Sequence, residues 1–179
     1  MIDRHIVLSV TTPSRVCRLK PLPILKTAVW PDETATQAFA QTLAKGLLQQ
    51  GLDGCISLQG NLGAGKTTLV RHLLHALGVS GRIKSPTYAV VEPYAVAAGA
   101  IWHFDFYRFN DPQEWEDAGF RDVFATPGLK VCEWPERVTA LLPEPDLHLH
   151  LSVLDDTQRH VQCTAHSARA QRWLQGWLT

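Results

Sequence analysis

The sequence predicts an α/β protein in which helices flank a mixed β-sheet that contains an antiparallel hairpin. Short apolar runs typical of buried strands are separated by segments with helical spacing of apolar residues. Two pairs of predicted strands are joined by only a few residues, so the strands of each pair must be antiparallel. A glycine-rich turn between residues 60 and 67 joins a predicted strand to a predicted helix.

The glycine-rich turn has the sequence Gly60-Asn-Leu-Gly-Ala-Gly-Lys-Thr67, which fits G-x-x-x-x-G-K-[ST], the phosphate-binding loop of nucleoside triphosphatases. It follows the predicted strand Cys55–Gln59 and precedes a predicted helix over Thr68–Leu77. Glycines let the backbone turn so that its N–H groups point at phosphate oxygens. Lys66 is expected to reach the β- and γ-phosphates, and the Thr67 hydroxyl to ligate Mg²⁺. We therefore predict a three-layer sandwich of the P-loop NTPase type.

The segments before this loop predict one strand and one helix. Leu25–Trp30 has the composition of a strand, and Gly51 is expected to end the helix that follows it. Either Asp32 or Thr34 is a candidate N-cap for this helix. The residues expected to face the core, from their helical spacing, are Phe39, Leu43, Leu47 and Leu48.

The segments after the loop predict strands and short helices. Asp111 is expected to cap a short helix with Pro112 at its first position. The predicted strands are Ala89–Tyr94, Ala100–Tyr107, Leu129–Glu133, Leu147–Leu154 and His160–Ala165, and the chain closes with a predicted helix over Ala168–Leu178. His148 and His150 alternate along one strand, which favours a polar, solvated face over a metal site.

Composition bounds the class of protein. The chain has 179 residues, 45% of them hydrophobic and 19% charged, which is typical of one soluble domain. Its formal net charge is zero and its pI is about 7.1, which argues against tight independent binding to nucleic acid. No membrane span or secretory signal is apparent, and the four cysteines are widely spaced, so we expect reduced thiols in a cytoplasmic protein. We expect residues 1–23 to form a loosely attached extension and residues 24–179 to form a single P-loop ATPase domain.

Two carboxylates end predicted buried strands, where open α/β sheets bind their ligands. Asp105 ends the apolar strand containing His103-Phe-Asp105, as the acid of a Walker B strand does, and is a candidate Mg²⁺ ligand. Glu133 follows Leu129-Lys-Val-Cys132 in the same manner and is a candidate metal ligand or organiser of the attacking water. The ordinary alternative for either residue is a solvated charge at a strand end.

Four ordered motifs give the chain a specific resemblance to the TsaE-type ATPases, small P-loop proteins of bacterial tRNA threonylcarbamoyladenosine biosynthesis. The motifs are Gly60-Asn-Leu-Gly-Ala-Gly-Lys-Thr-Thr68, Lys84-Ser-Pro-Thr-Tyr88, His103-Phe-Asp-Phe-Tyr-Arg108 and Glu133-Trp-Pro135. The resemblance extends from about Trp30 to the closing hairpin. It implies a slow, Mg²⁺-dependent ATPase that acts with a partner complex, the tRNA threonylcarbamoyl transferase, in modifying adenosine 37. In that scheme the partner supplies the transferase chemistry and tRNA is contacted only indirectly.

The resemblance also implies roles for individual residues. Ser85 and Thr87 correspond to a switch near the γ-phosphate, and Thr36 corresponds to a residue near the nucleotide base. Lys66, Asp105 and Glu133 are the expected catalytic residues, and Thr67, Asp105 and Glu133 the expected metal ligands. The loop residues expected to contact ATP are Asn61, Leu62, Gly63, Ala64, Gly65, Lys66, Thr67 and Thr68.

Two other functions use the same loop. A small-molecule kinase usually carries an arginine-rich lid, and no arginine cluster stands between the predicted Walker strands. A GTP-dependent switch would carry Asn-Lys-x-Asp and Asp-x-x-Gly motifs, and the sequence contains neither. The role of Arg108 stays open between a phosphate contact and an ion pair with Asp111 or Glu114.

Overall fold

The structure, a computed structural model, describes residues 22–178. The predicted extension over residues 1–23 therefore lies almost entirely outside the described residues. The strands are β1 (Ile24–Trp30), β2 (Gly54–Gln59), β3 (Val91–Val96), β4 (Gly99–Asp105), β5 (Leu129–Glu133), β6 (Leu147–Val153) and β7 (Arg159–Ala165). The α-helices are α1 (Glu33–Gln50), α2 (Lys66–Ala76), α3 (Pro112–Asp117), α4 (Phe120–Ala125), α5 (Ala168–Trp173) and α6 (Gln175–Leu178), and a short 3₁₀ helix spans Pro135–Arg137.

The described strands form a mixed sheet of seven strands in the order β1-β7-β6-β2-β5-β4-β3. The four neighbours β6, β2, β5 and β4 run parallel, and antiparallel pairs β6–β7, β7–β1 and β4–β3 extend the sheet on both sides. The register places Glu133 beside both Leu58 and Asp105. The phosphate-binding loop and both candidate carboxylates therefore lie together at the carboxyl ends of parallel strands, where such sheets bind ligands.

The two faces of the sheet are covered by different helices, which gives the predicted three-layer sandwich. One face packs against α1, α2 and α5, around buried residues such as Leu43, Leu73 and Trp173. The other face packs against α3 and α4, around an aromatic cluster that includes Phe104 and Trp115. Because side chains alternate along a strand, β2, β4 and β5 each contribute to both cores.

Helix α1 begins and ends for local reasons. The Asp32 carboxylate accepts a hydrogen bond from the backbone N–H of Ala35 at 2.9 Å, so Asp32 and not Thr34 is the N-cap. Gly51 ends the helix with a φ of +91°, a backbone angle that favours glycine. The prediction that Leu48 faces the core is wrong, because this residue is 47% exposed on the outer side of the helix.

Several predicted boundaries differ from the structure; β4, for example, ends at Asp105 and not at Tyr107. Strand β3 begins at Val91 and not Ala89, because residues 86–90 form a turn closed by a 2.7 Å bond from the Val90 N–H to the Pro86 carbonyl. Helix α2 begins at Lys66, two residues earlier than expected, so the loop lysine already lies in its first turn. The C-terminal helix is divided at Leu174 into α5 and α6.

Two other expectations from the sequence, a helix cap and free cysteines, are met within the described residues. Asp111 caps α3 with Pro112 at its first position. The thiols of Cys55, Cys132 and Cys163 are buried, and none of the three forms a disulfide. Over residues 22–178, no helix combines the length and apolar character that crossing a bilayer requires.

Candidate nucleotide-binding and catalytic site

The phosphate-binding loop depends on glycine at two positions in particular. Gly65 has a φ of +99° immediately before α2, a conformation that residues with a side chain rarely adopt. At Gly60, an added Cβ atom would lie 2.3 Å from the carbonyl oxygen of Leu151. The loop therefore crosses closely beside β6 and then turns sharply into the helix, which directs the N-terminus of α2 toward the site.

The ammonium group of Lys66 is held inside this loop. Its Nζ donates to the carbonyl oxygens of Gly60 at 2.6 Å and Asn61 at 3.1 Å. The Lys66 residue is only 4% exposed. Burial lowers the pKa of Lys66 below its ordinary value, and the nearby carboxylates of Glu133, Glu136 and Asp105 act in the opposite direction. The site thus holds a cation beside several carboxylates, at the position expected for the β- and γ-phosphates.

Glu133 is a buried carboxylate and not a surface charge, with only 1% of the residue exposed. Its Oε2 accepts a hydrogen bond from the Thr67 hydroxyl at 2.8 Å. Its Oε1 lies 2.8 Å from Nε2 of His103, which is fully buried. The backbone N–H of the next residue, Trp134, donates to the Leu58 carbonyl at 3.2 Å and ties the end of β5 to β2.

Asp105 is the second buried carboxylate of the site, and it contacts the predicted switch. Its Oδ2 accepts hydrogen bonds from the hydroxyl groups of Ser85 and Thr87, the latter at 2.9 Å. Its Oδ1 accepts from the backbone N–H of Tyr107 at 2.9 Å. The carboxylate at the end of β4 therefore connects the Ser85–Thr87 segment to the rest of the site.

The segment that carries Ser85 and Thr87 contains an unusual backbone conformation. Val90 has a φ of +65°, which is an outlier for a β-branched residue. Its carbonyl accepts a hydrogen bond from the Asp105 N–H at 2.9 Å, so β4 holds the segment in this shape. Such strain persists only where the surrounding structure enforces it, and it is common in switch segments.

Two cavities meet at the start of α2. One, of about 260 Å³, is lined by Thr36, Ala64 and Arg159, with Gly65 and Thr68 at its boundary. The other, of about 300 Å³, is lined by the side chains of the catalytic and metal-ligand candidates. Gly65 and Thr68 line both cavities, so a ligand that crosses the loop can occupy both at once.

The structure brings together every residue that the sequence singled out for this site. Thr36 and Ala64 line the first cavity, and the Asn61 carbonyl contacts Lys66. The second cavity is lined by Leu62, Gly63, Gly65, Lys66, Thr67, Thr68, Ser85, Thr87, Asp105 and Glu133.

Three residues of the site had no assigned role in the sequence. His103 contacts Glu133, and its position two residues before Asp105 was the available signal, because alternate residues of a strand share a face. Trp134 stacks on Lys66, with Nζ 3.7 Å from the ring centroid. Arg159 reaches the first cavity from the distant β6–β7 hairpin, which local sequence does not reveal.

One alternative for Arg108 and the expectation for His148 are revised. Arg108 contacts neither Asp111 nor Glu114, and its guanidinium carbon instead lies 4.2 Å from the centroid of the Tyr88 ring. His148 is not on a fully solvated face, because its Nδ1 lies 2.8 Å from the buried Ser57 hydroxyl, in a cavity partly covered by Pro135 and Leu142.

Comparison with known proteins shows which family this chain is similar to. Residues 30–161 match the family model described as "TsaE: Threonylcarbamoyl adenosine biosynthesis protein TsaE". Proteins named "tRNA threonylcarbamoyladenosine biosynthesis protein TsaE" are similar to this chain. The one from Haemophilus influenzae is 41% identical over 139 residues, which covers 76% of this chain and 87% of that protein. The one from Bacillus subtilis is 32% identical over 110 residues, which covers 62% and 68%, respectively.

A solved structure shares the fold. The crystal structure of Bacillus subtilis YdiB superposes with a TM-score of 0.67 and covers 87% of this chain and 95% of that one. The sequence identity of the pair is 21%, so this likeness concerns the fold.

Proposed function

Because this chain belongs to the TsaE family of threonylcarbamoyl adenosine biosynthesis proteins, we propose that it serves that pathway as a Mg²⁺-dependent ATPase. In this proposal ATP binds across the phosphate-binding loop, and its hydrolysis drives a partner complex that transfers threonylcarbamoyl to adenosine 37 of tRNA. The transferase chemistry belongs to the partner.

One observation carries the proposal. Thr67, Asp105 and Glu133 line one cavity together with Lys66 at the N-terminus of α2, and the Thr67 hydroxyl contacts Glu133. A hydroxyl and two carboxylates form the all-oxygen set that Mg²⁺ prefers. These residues therefore fit a metal–triphosphate, with Lys66 and the α2 N-terminus facing the phosphates.

Each group of the site has a different role in hydrolysis. Mg²⁺, when bound, neutralises charge that develops on the phosphate oxygens. Lys66 neutralises charge between the β- and γ-phosphates, and Glu133 orients the metal shell or the attacking water. Ser85 and Thr87, both bonded to Asp105, are placed to sense the γ-phosphate.

The two cavities suggest how the nucleotide lies. The triphosphate and metal fit the cavity that contains Asp105 and Glu133, while the nucleoside fits the cavity that contains Thr36. The loop between them, at Gly65 and Thr68, then contacts the phosphates, as the backbone of such loops does.

Phosphate release from ATP, measured with and without the partner complex and with and without Mg²⁺, tests this proposal. We expect Mg²⁺-dependent release that increases with the partner, and weaker binding of GTP than of ATP. Transfer of the γ-phosphate to an added small-molecule acceptor would instead indicate a kinase. Absence of Mg²⁺-dependent hydrolysis under every condition would contradict the assignment.

Contact with tRNA is expected to depend on the partner complex. The formal net charge of zero provides little counterion release for independent binding. In a filter-binding titration at physiological salt, we expect no tight complex between tRNA and this protein in the absence of partners.

A further inference from the structure

His103 lies behind the catalytic candidates, within the sheet. It is fully buried on β4 and is paired in register with Val131 of β5. Its ring extends diagonally to Glu133, and Nε2 lies 2.8 Å from the carboxylate Oε1. His103 does not line either cavity beside the phosphate-binding loop, so it is placed to act on Glu133 and not on a nucleotide.

The surroundings of the ring decide which nitrogen donates. Nδ1 of His103 is buried and has no hydrogen-bond partner among the described residues. A proton on Nδ1 would therefore be a buried, unpaired donor, which is costly, whereas a proton on Nε2 has the Glu133 carboxylate as its acceptor. The geometry thus points to His103 donating through Nε2 to Oε1.

Glu133 is consequently held from two sides. His103 donates to Oε1, and the Thr67 hydroxyl donates to Oε2 at 2.8 Å. A hydroxyl that holds a metal ion through its oxygen keeps its proton, so Thr67 can hold the metal and still donate to Oε2. The bond from His103 to Oε1 lies outside both cavities, so an arriving ligand does not compete with it. His103 can therefore keep the carboxylate in one orientation while its other oxygen serves the reaction.

We propose that His103 is a positioning residue for Glu133, required for the rate of ATP hydrolysis and not for nucleotide binding. This inference rests on the proposed ATPase function. Residues that orient the groups around a metal commonly contribute about 10- to 100-fold to activity. A purely structural role in the core would instead affect stability without a specific dependence on Glu133.

Two substitutions of His103 separate these roles. His103→Leu removes the donor at similar volume, and His103→Gln retains an amide N–H that can reach Oε1. With saturating Mg²⁺ and ATP, we expect the kcat of His103→Leu to fall about 10- to 100-fold while KM changes little. His103→Gln should recover most of the lost kcat. If His103→Leu does not fold, His103→Asn replaces it, because its shorter amide does not reach the carboxylate.

Two comparisons make the result specific. Ile101→Val loosens the same buried face of β4 two residues away and should lower Tm while leaving kcat near the wild-type value. In a Glu133→Gln background, His103→Leu should cause little further loss, because the group that it orients is already neutral. The paired substitutions therefore measure coupling between His103 and Glu133.

The outcomes are distinct. Wild-type kcat in His103→Leu, an equal loss in the Glu133→Gln background, or an equal loss in Ile101→Val would each overturn the positioning role while leaving the ATPase assignment intact. Wild-type protein without Mg²⁺-dependent hydrolysis would remove the proposed function and this inference with it.

Discussion

The Lys66 ammonium group lies 3.7 Å from the centroid of the Trp134 ring, directly over its face. Trp134 has a φ of +58°, a conformation uncommon for a residue with a large side chain, and its ring packs 4.9 Å from that of Tyr107. A cation over a tryptophan face contributes about 0.5 to 2 kcal/mol, depending on its hydration. The loop lysine is therefore held by an aromatic ring as well as by two carbonyls, and phosphate binding has to compete with these contacts.

This contact predicts a fluorescence change on nucleotide binding. When Lys66 turns toward phosphates, its charge leaves the Trp134 ring and the environment of the indole changes. We expect titration with ATP and Mg²⁺ to alter the intrinsic emission, and Trp134→Phe to lose most of that change. Because the chain has six tryptophans, the comparison between the two proteins identifies the source. An identical change in both would place the signal at another tryptophan.

Lys66→Ala should weaken or abolish triphosphate binding and preserve the fold. The side chain serves the ligand, and the apolar residues of α2, such as Leu69 and Leu73, form the core contacts. Lys45→Ala, on the exposed side of α1, is the matched control for loss of one positive charge. Isothermal titration with ATP and Mg²⁺, together with circular dichroism, measures both properties. Wild-type affinity in Lys66→Ala would refute the assignment of this lysine.

Substitutions of the two carboxylates should have different effects. Glu133→Gln should still bind ATP but hydrolyse it about 10- to 1,000-fold more slowly, the range expected for loss of one electrostatic or general-base contributor. Asp105→Asn should first weaken the dependence of binding on Mg²⁺. Affinity and phosphate release measured on the same preparations distinguish the two residues. Wild-type hydrolysis by Glu133→Gln would mean that this carboxylate has no part in the reaction.

His148 predicts a loss of stability in mild acid. Burial lowers the pKa of His148 below the ordinary histidine value of 6.5, and the charges of His166 and His150 act in the same direction. The unfolded chain therefore binds a proton at His148 more readily than the folded protein does. The contribution of His148 to the free energy of unfolding is fully present above about pH 6.5 and is lost as the pH is lowered. Urea midpoints at pH 7 and pH 5 should differ less in His148→Asn than in wild type. If the urea midpoint changes by the same amount between pH 7 and pH 5 in both proteins, another group is responsible.

Much of this site was predictable because its chemistry depends on short, local patterns. The loop Gly60–Thr67 encodes its own backbone shape through glycine, and its lysine and threonine are the side chains that the phosphate-binding pattern requires. Asp105 and Glu133 were identifiable because each ends a buried strand, and parallel strands align their carboxyl ends at one edge of a sheet.

The errors concern places where distant packing overrides local preference. Strand β3 starts late because a turn over residues 86–90 is held by Asp105 through the Val90 carbonyl. Leu48 has the helical spacing of a core residue, yet the packing of α1 against α2 and α5 leaves it outside. Periodicity defines an apolar face only approximately, and the neighbouring helices decide where that face ends.

The sequence by itself determined the family, the three-layer fold and the residues that line the candidate site, because each depends on residue type and short spacing. Only the tertiary structure decided the contacts that tune those residues. His103 reaches Glu133 across 30 positions, and Trp134 covers Lys66 from the end of another strand. Such contacts depend on sheet register and strand order, which arise from packing of the whole chain and cannot be predicted from any local segment.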